Sequence, residues 1–221
     1  MESPKYNRTF HMPWSPGGTS DDKRAASVDN LIGKPIVITE KMDGSNTSLE
    51  AKGCFARTHA GAPTHASFDA LKAMHATIKH KIPFNYQLFG EWCFALHSIA
   101  YNELPSYFLL FNVREVNEVL PSMWISWNEV KMWAEEIGVP TVPVLFEGSV
   151  NSEKELKELV ESLMNQSSCC GGIREGVVVR LAGEFPDKDF STCVMKCVRA
   201  NHVQTSDHWK DQEIIKNKLK S

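Results

Sequence analysis

Four short segments of this chain set lysines and carboxylates into otherwise apolar strands, the residue types of nucleophilic and acid–base chemistry. The first is Glu40-Lys41-Met42-Asp43-Gly44-Ser45-Asn46, and the second is Phe89-Gly90-Glu91-Trp92. The third, Glu175-Gly176-Val177-Val178-Val179-Arg180, opens a buried-looking strand with an acid, and the fourth, Val194-Met195-Lys196-Cys197-Val198-Arg199, interrupts one with a lysine. Each also has an ordinary structural reading. Asp-Gly between two β-branched runs is a strong hairpin signal. Glycine inside a strand suggests a bulge or a close approach of backbone. Glu175 fits a half-buried hairpin edge as well as a central strand, and Lys196 fits a snorkelling edge lysine.

The elements that must position these residues are legible in outline. Pro35 to Lys41 is a β-branched run and reads as a strand. Further strands are expected at Thr47 to Ala51, Cys54 to Arg57, Tyr86 to Phe94, Tyr107 to Val113, Glu175 to Leu181 and Thr192 to Val198. Ser67 to Ile82 places Phe68, Leu71, Met74, Ile78 and Ile82 three and four apart, an amphipathic helix. Ser126 with Glu129 and Ser152 with Glu155 fit the S-x-x-E capping box of a helix start. The first of these helices should stop at Gly138 with Pro140 beyond it. Ser20-Asp21-Asp22 reads as the cap of a short helix ending near Gly33, after a turn-rich arm from Met12 to Gly18, and a lysine-rich helix is expected from about Asp207. Strands outnumber helices without alternating with them, which favours an α+β fold over a doubly wound parallel sheet.

Composition narrows the class. The 221 residues include 42% hydrophobic and 23% charged side chains, which excludes wholesale disorder. A formal charge of -3, from 24 basic and 27 acidic residues, excludes a uniformly basic coat but not a local basic groove. No apolar run approaches the ~18–20 residues of a membrane span, and the start carries no signal-peptide core, so an intracellular, cytoplasmic protein away from membranes is expected. Cys54, Cys93, Cys169, Cys170, Cys193 and Cys197 form neither a secreted disulfide framework nor the paired C-x2-4-C hooks of structural zinc. The eight histidines are scattered, with no H-E-x-x-H pairing. No internal repeat or low-complexity linker appears, so residues 1–221 read as one domain, with an N-terminal arm and helix over 1–33, a core over 34–199 and a tail over 200–221.

Taken in order, K-x-D-G, G-E, an aromatic strand, E-G-V-V and a lysine strand resemble the nucleotidyltransferase motifs of polynucleotide ligases and mRNA capping enzymes. Asn46 after K-x-D-G, the Phe-Gly-Glu triplet and the K-x-V-R end resemble ATP-dependent RNA ligases, the branch close to phage RNA-repair enzymes, and His202 to Trp209 resembles a tail of bacterial and viral members. The resemblance implies an ATP-grasp-like adenylylation domain of antiparallel sheets flanked by helices. It also implies the activity: Lys41 attacks the α-phosphate of ATP, AMP passes to an RNA 5′-phosphate, and an RNA 3′-OH displaces it. A free lysine has a pKa of ~10.4, so only a few parts in ten thousand are neutral at pH 7. Catalysis would need that value lowered by desolvation or a nearby cation.

By the same resemblance Lys196 holds the α-phosphate and lowers the pKa of Lys41. Glu175 would raise it unless Mg²⁺, or Mn²⁺ in its place, lies between them. Glu91 takes the ribose hydroxyls as an acceptor, and Phe111 stacks on adenine or is simply a core Phe. Glu40 lies beside the base, Arg57 engages phosphate, and Asn46 acts after the lysine is adenylylated. The family's last motif often carries a second lysine where this chain has Val198, and Arg199 is the substitute at hand. With 22 residues after Arg199, no C-terminal OB domain is expected, which disfavours DNA ligases and capping enzymes. A GTP-using guanylyltransferase, a catalytically idle nucleotide- or RNA-binding module and a ligase that needs an auxiliary protein stand as alternatives. The charge of -3 requires Arg57, Lys196, Arg199, Lys210, Lys216, Lys218 and Lys220 to gather locally, with Glu153, Glu155, Glu158 and Glu161 facing elsewhere.

Overall fold

The computed structural model describes residues 5–18, 22–57, 61–200 and 214–221. Among the described residues eleven strands run in chain order: β1 (Phe10–His11), β2 (Ile36–Lys41), β3 (Ser45–Glu50), β4 (Gly53–Ala56), β5 (Tyr86–Trp92), β6 (Phe108–Glu115), β7 (Met123–Trp124), β8 (Val144–Gly148), β9 (Gly176–Leu181), β10 (Phe185–Pro186) and β11 (Val194–Val198). The α-helices are α1 (Asp69–Ile78), α2 (Trp127–Ile137), α3 (Glu153–Met164) and the short α4 (Phe190–Cys193). One sheet has the order β1-β11-β9-β2-β8 and the other β10-β7-β6-β5-β3-β4. All pairs are antiparallel except β1 beside β11. This is the α+β architecture expected from the strand count.

Alternation along the strands explains the packing, because successive side chains point to opposite faces. In the five-stranded sheet Ile36, Ile38, Val177, Val179, Met195 and Cys197 share one buried cluster with Leu156, Val160 and Leu163 of α3. The interleaved Thr39, Lys41, Val178, Arg180 and Lys196 line a cavity instead. In the six-stranded sheet Leu49, Leu88, Trp92 and Leu110 pack with Leu71 and Ile78 of α1 and with Trp127, Val130 and Ile137 of α2. Each such fully buried side chain contributes about 1.5–3 kcal/mol by leaving water. Helices thus cover the outer face of each sheet, while the inner faces supply the cavity. No helix among the described residues is long and apolar enough to cross a membrane.

The helix signals hold with one refinement. Ser126 and Glu129 form the full reciprocal capping box, and α2 ends at Gly138 in the left-handed region (φ 71). At α3, Ser152 accepts from the Glu155 N–H, but the Glu155 carboxylate accepts from Asn151 rather than from the cap residue. Three expectations are corrected. The N-terminal helix is only a 3-10 turn, Asp29–Leu31, and Ser20 and Asp21 fall outside the described residues. Thr192 and Cys193 belong to α4 rather than to the last strand. Most of the expected C-terminal helix, including Lys210 and the His202 to Trp209 segment, lies outside the described residues. Residues 214–221 are extended and bridge to Ala95 and Leu104, because pairing with that loop satisfies backbone groups a helix would satisfy internally.

The Asp43-Gly44 hairpin is also overturned. β2 pairs with β8 and β9, whereas β3 pairs with β4 and β5. Met42 to Gly44 is therefore the crossover from one sheet to the other. A Cβ on Gly44 would lie 2.7 Å from the Trp92 carbonyl oxygen, so close approach is what requires glycine there.

Candidate active site

The cavity between the sheets has a volume of about 1400 Å³. Sites for small molecules typically span ~300–1,000 Å³, so it has room for more than a nucleotide. Lys41, at the end of β2, is opposite Gly176 of β9. That register brings Glu175 alongside, and its two carboxylate oxygens accept from Lys41 Nζ at 2.8 and 2.7 Å. β9 is a central strand, between β2 and β11, so neither Glu175 nor Lys196 sits on a sheet edge. Gly176 is fixed by the same closeness, since a Cβ there would meet the Cys197 carbonyl oxygen at 2.2 Å.

Lys196 enters from β11, where it is opposite Val178. Its Nζ lies 3.7 Å from Asp22 Oδ1. Burial and the neighbouring Lys41 charge hold the Lys196 pKa below its ordinary value against Asp22 and Glu175. Lys41 goes the other way. Burial alone would lower its pKa, but Glu175, Glu91 and Asp43 outweigh burial and raise it. The lowering expected of the nucleophile is thus absent, and Lys41 is held as an ammonium by its carboxylate partner.

The facing sheet supplies the other expected residues. Glu91 on β5 is opposite Asn46 on β3, and its Oε1 accepts from the Gly44 N–H at 3.1 Å. Burial first, and Glu175 and Asp43 after it, push its pKa up to about 8 against the pull of Lys41. Gly90 beside it marks both features expected of a strand glycine. The β5–β6 register shifts between Phe89 and Gly90, and a Cβ would lie 2.2 Å from Phe108. Asn46 lines the cavity with a buried Oδ1 that has no hydrogen-bond partner among the described residues. Phe111 on β6 is half-buried at the wall, and Arg57 is exposed just past β4.

Glu40 is brought near but turned away. Strand alternation sends its carboxylate to the face of Ile36 and Ile38, where Oε2 accepts from the Cys169 N–H at 2.9 Å and lies 3.5 Å from Arg174 Nε. Only its backbone can serve the cavity. Arg199 is not among the cavity-lining residues; its N–H donates to the Glu175 carbonyl at 3.0 Å. Lys216, Lys218 and Lys220 lie on the extended tail and do not line the cavity either. The local basic groove comes instead from Lys5, Arg8, Lys41, Arg57, Arg180 and Lys196. Glu153, Glu155, Glu158 and Glu161 are exposed on α3, behind the sheet, as the charge argument required.

Several cavity residues carry no sequence signal. Tyr6 of the N-terminal arm packs edge-on to Phe111 with ring centroids 5.2 Å apart, and its hydroxyl accepts from Asn112 at 3.3 Å. Asp22 lies between Lys196, His11 and Arg8. Arg180 crosses between the sheets, donating to Asn112 Oδ1 and the Ile125 carbonyl, both at 2.7 Å. Alternation along E-G-V-V-V-R could have flagged Arg180 as facing the same side as Val178. Tyr6 and Asp22 reach the cavity only through tertiary packing.

The arrangement is a lysine with its carboxylate partner and a second lysine from one sheet, facing a buried glutamate, an asparagine with an orphaned amide oxygen and an aromatic wall on the other. Among curated proteins none matches the chain. The fold is similar to an apo mutant of Naegleria gruberi RNA ligase, with a TM-score of 0.57 and 16% identity over 84% of this chain and 54% of that one. It is similar to another mutant of that enzyme solved with ATP and Mn, with a TM-score of 0.57 and 15% identity over 91% of this chain and 62% of that one. An archaeal ATP-dependent RNA ligase gives a TM-score of 0.52 and 16% identity over 81% of this chain and 46% of that one. The chain thus spans about half to three-fifths of the length of these structures, and at such identities they establish the fold alone. A model of the RNA ligase family matches residues 34–198, from the approach to β2 through the end of β11. With three-quarters of its length matched, this chain belongs to the RNA ligase family.

Proposed function

We propose that this chain is an ATP-dependent RNA ligase that joins RNA 5′-phosphate and 3′-OH ends through AMP bound covalently to Lys41. The observation that carries the reading is that Lys41, paired with the Glu175 carboxylate, and Lys196 open into the same cavity as Glu91, Asn46 and Phe111. In the first step a bond forms between Lys41 Nζ and the α-phosphorus. The bond from that phosphorus to the pyrophosphate oxygen breaks with its electron pair on pyrophosphate, and Nζ gives up two protons to solvent, one to become the attacking neutral amine and one on bonding. Lys196 faces the charge developing on the α-phosphoryl oxygens, where a fixed cation in a buried site acts strongly. Phe111, with Tyr6 at its edge, forms the wall for the base, and the Glu40 backbone lies beside it. Glu91 meets the ribose hydroxyls. Asn46 and Arg57 are placed for phosphate or the RNA ends, since a guanidinium fork suits two phosphate oxygens.

The donor set fits a shared divalent cation. Magnesium is usually held by one or two carboxylates plus substrate phosphates and water. Glu175 offers one such carboxylate, and no group of three or more potential ligands gathers among the described residues. Bound at Glu175, Mg²⁺ or Mn²⁺ would neutralise phosphate charge and compete with Lys41 for the carboxylate. That competition favours the neutral amine, which the Glu175 pair otherwise opposes. The relative solved with ATP and Mn supports a nucleotide and a divalent cation here.

The test is covalent labelling by α-labelled ATP with Mg²⁺. Transfer of label to the protein and its loss in Lys41→Ala are expected, and persistent labelling of that variant would sink the assignment. Unlabelled GTP in excess should leave the labelling intact; competition would indicate a guanylyltransferase. Nucleotide binding without any adduct would indicate an idle binding module.

A further inference from the structure

The extended tail, residues 214–220, lies beyond the family match yet makes contacts that lead back to Lys41. It runs along the loop from Cys93 to Leu104, which follows β5. The Leu96 N–H donates to the Ile215 carbonyl at 2.7 Å, and the Asn217 N–H donates to the Phe94 carbonyl at 3.0 Å. The Lys218 N–H donates to Tyr101, and the Leu104 N–H donates to Lys218. Asn217, 3% exposed, is the hub of this pairing. Its Nδ2 donates to the carbonyls of Cys93 at 2.9 Å and Ala95 at 3.3 Å, while its Oδ1 accepts from the Tyr101 N–H at 2.9 Å. Only a primary amide offers two donors and an acceptor in that volume.

The loop thus held grips the crossover. The Ser98 and Ile99 N–H groups donate to Asp43 Oδ2 at 2.7 and 2.9 Å, and the Asp43 N–H donates to the Tyr101 hydroxyl at 2.8 Å. Asp43 is two residues from Lys41 and adjacent to Gly44, which donates to Glu91. The same loop presents His97 at the cavity, 3.4 Å from Ser45 Oγ. Left without the tail, the buried carbonyls and N–H groups of this loop would lack partners, each at a cost of about 1–3 kcal/mol.

We infer that the tail is a positioning strap for the Lys41 crossover, with Asn217 acting through the Tyr101 loop on Asp43. The inference rests on the reading of Lys41 as the adenylylated residue. Its test is single-turnover labelling by α-labelled ATP and Mg²⁺, in which the rate constant reports geometry and the final labelled fraction reports how much protein is folded. Asn217→Ala is expected to slow the rate constant at saturating ATP by about tenfold or more, since a 1 Å misplacement can cost ~100-fold. The labelled fraction and the ATP concentration for half-maximal rate should stay within about twofold, because Lys196, Glu91 and Phe111 do not contact the strap. Tyr101→Phe, which deletes only the hydroxyl, should slow labelling as well. The double variant should be slower than wild type by less than the product of the two single effects.

A reduced labelled fraction with an unchanged rate constant would overturn the inference, as that is what a purely stabilising tail produces. If Asn217→Ala does not fold, Tyr101→Phe decides alone, and a wild-type rate constant in it is the overturning result. A wild-type chain that takes no label refutes the Lys41 reading instead. A labelled wild type with an unaltered Asn217→Ala refutes only the strap.

Discussion

Gly44→Ala separates the two explanations for the Asp-Gly pair. In a two-residue hairpin glycine is needed for a positive φ, so the penalty for alanine would be conformational. Here Gly44 is not among the positive-φ glycines, and the obstacle is space. An added Cβ would stand 2.7 Å from the Trp92 carbonyl oxygen and 3.1 Å from both Cys93 Sγ and Glu91 Cγ. Trp92 is locked opposite Ser45 in the β3–β5 ladder and opposite Phe108 in the β5–β6 ladder, so its carbonyl cannot retreat cheaply. The crossover must then move by about half an ångström to reach ordinary contact. Overpacking of this kind costs about 1–3 kcal/mol. For a chain of this size that is a fall of about 2–4 °C in Tm per kcal/mol. The same shift strains the Gly44 hydrogen bond to Glu91 and displaces Lys41, three residues back. A displacement of that size next to the reacting amine predicts about a 10–100-fold loss in the rate of lysyl-AMP formation. Thermal unfolding and single-turnover labelling measure the two effects. A variant with the wild-type Tm and labelling rate would refute the close-approach argument.

Two further outcomes follow from buried charges. His11 is held at a pKa of about 4, below its usual 6.5, by burial first and then by Lys196 and Arg24, with Asp22 opposing. Its neutral form is the one folded, so stability is full above pH 6.5 and falls as the pH drops toward 4, by up to about 3 kcal/mol. His11→Asn should lose that part of the slope in urea unfolding between pH 7 and 4, and an unchanged slope would count against it. Arg174, 2% exposed, faces the fully buried Glu40 and donates to the Leu163 carbonyl. Arg174→Met should lower the unfolding free energy by about 3–5 kcal/mol by stranding that carboxylate. Glu40→Gln added to it should restore part of the loss, and a single-variant loss under about 1 kcal/mol would be inconsistent with a buried pair.

The strands and helices that frame the site were legible because local rules govern them. The β-branched run before Lys41, the 3-and-4 spacing from Phe68 to Ile78 and the Ser126 box each depend on near neighbours in the chain. Where expectation failed, a distant partner decided. The Asp-Gly pair became a sheet-to-sheet crossover because β3 found β5 rather than β2. The tail residues 214–221 became extended because the Cys93 to Leu104 loop needed partners. Glu40 was expected at the base, and its neighbour Arg174 was passed over. Alternation sends the Glu40 carboxylate to the outer face, where Arg174 is its buried partner.

The sequence by itself determined which residue types are present at strand positions: a lysine ending one strand, an acid opening another, a lysine within a third. It also determined the apolar alternation that forces one face of each strand toward water or a ligand. Only the tertiary structure decided that Lys41 and Lys196 line one cavity, and that Glu175 holds Lys41 as an ammonium. It also brought Tyr6, Asp22 and the Asn217 strap to the site. The physical reason is range. Propensity and capping act over a few residues, whereas a pKa, a cavity wall or a close backbone approach depends on atoms that are neighbours in space yet can lie 183 positions apart in the chain, as Ser15 and Val198 do.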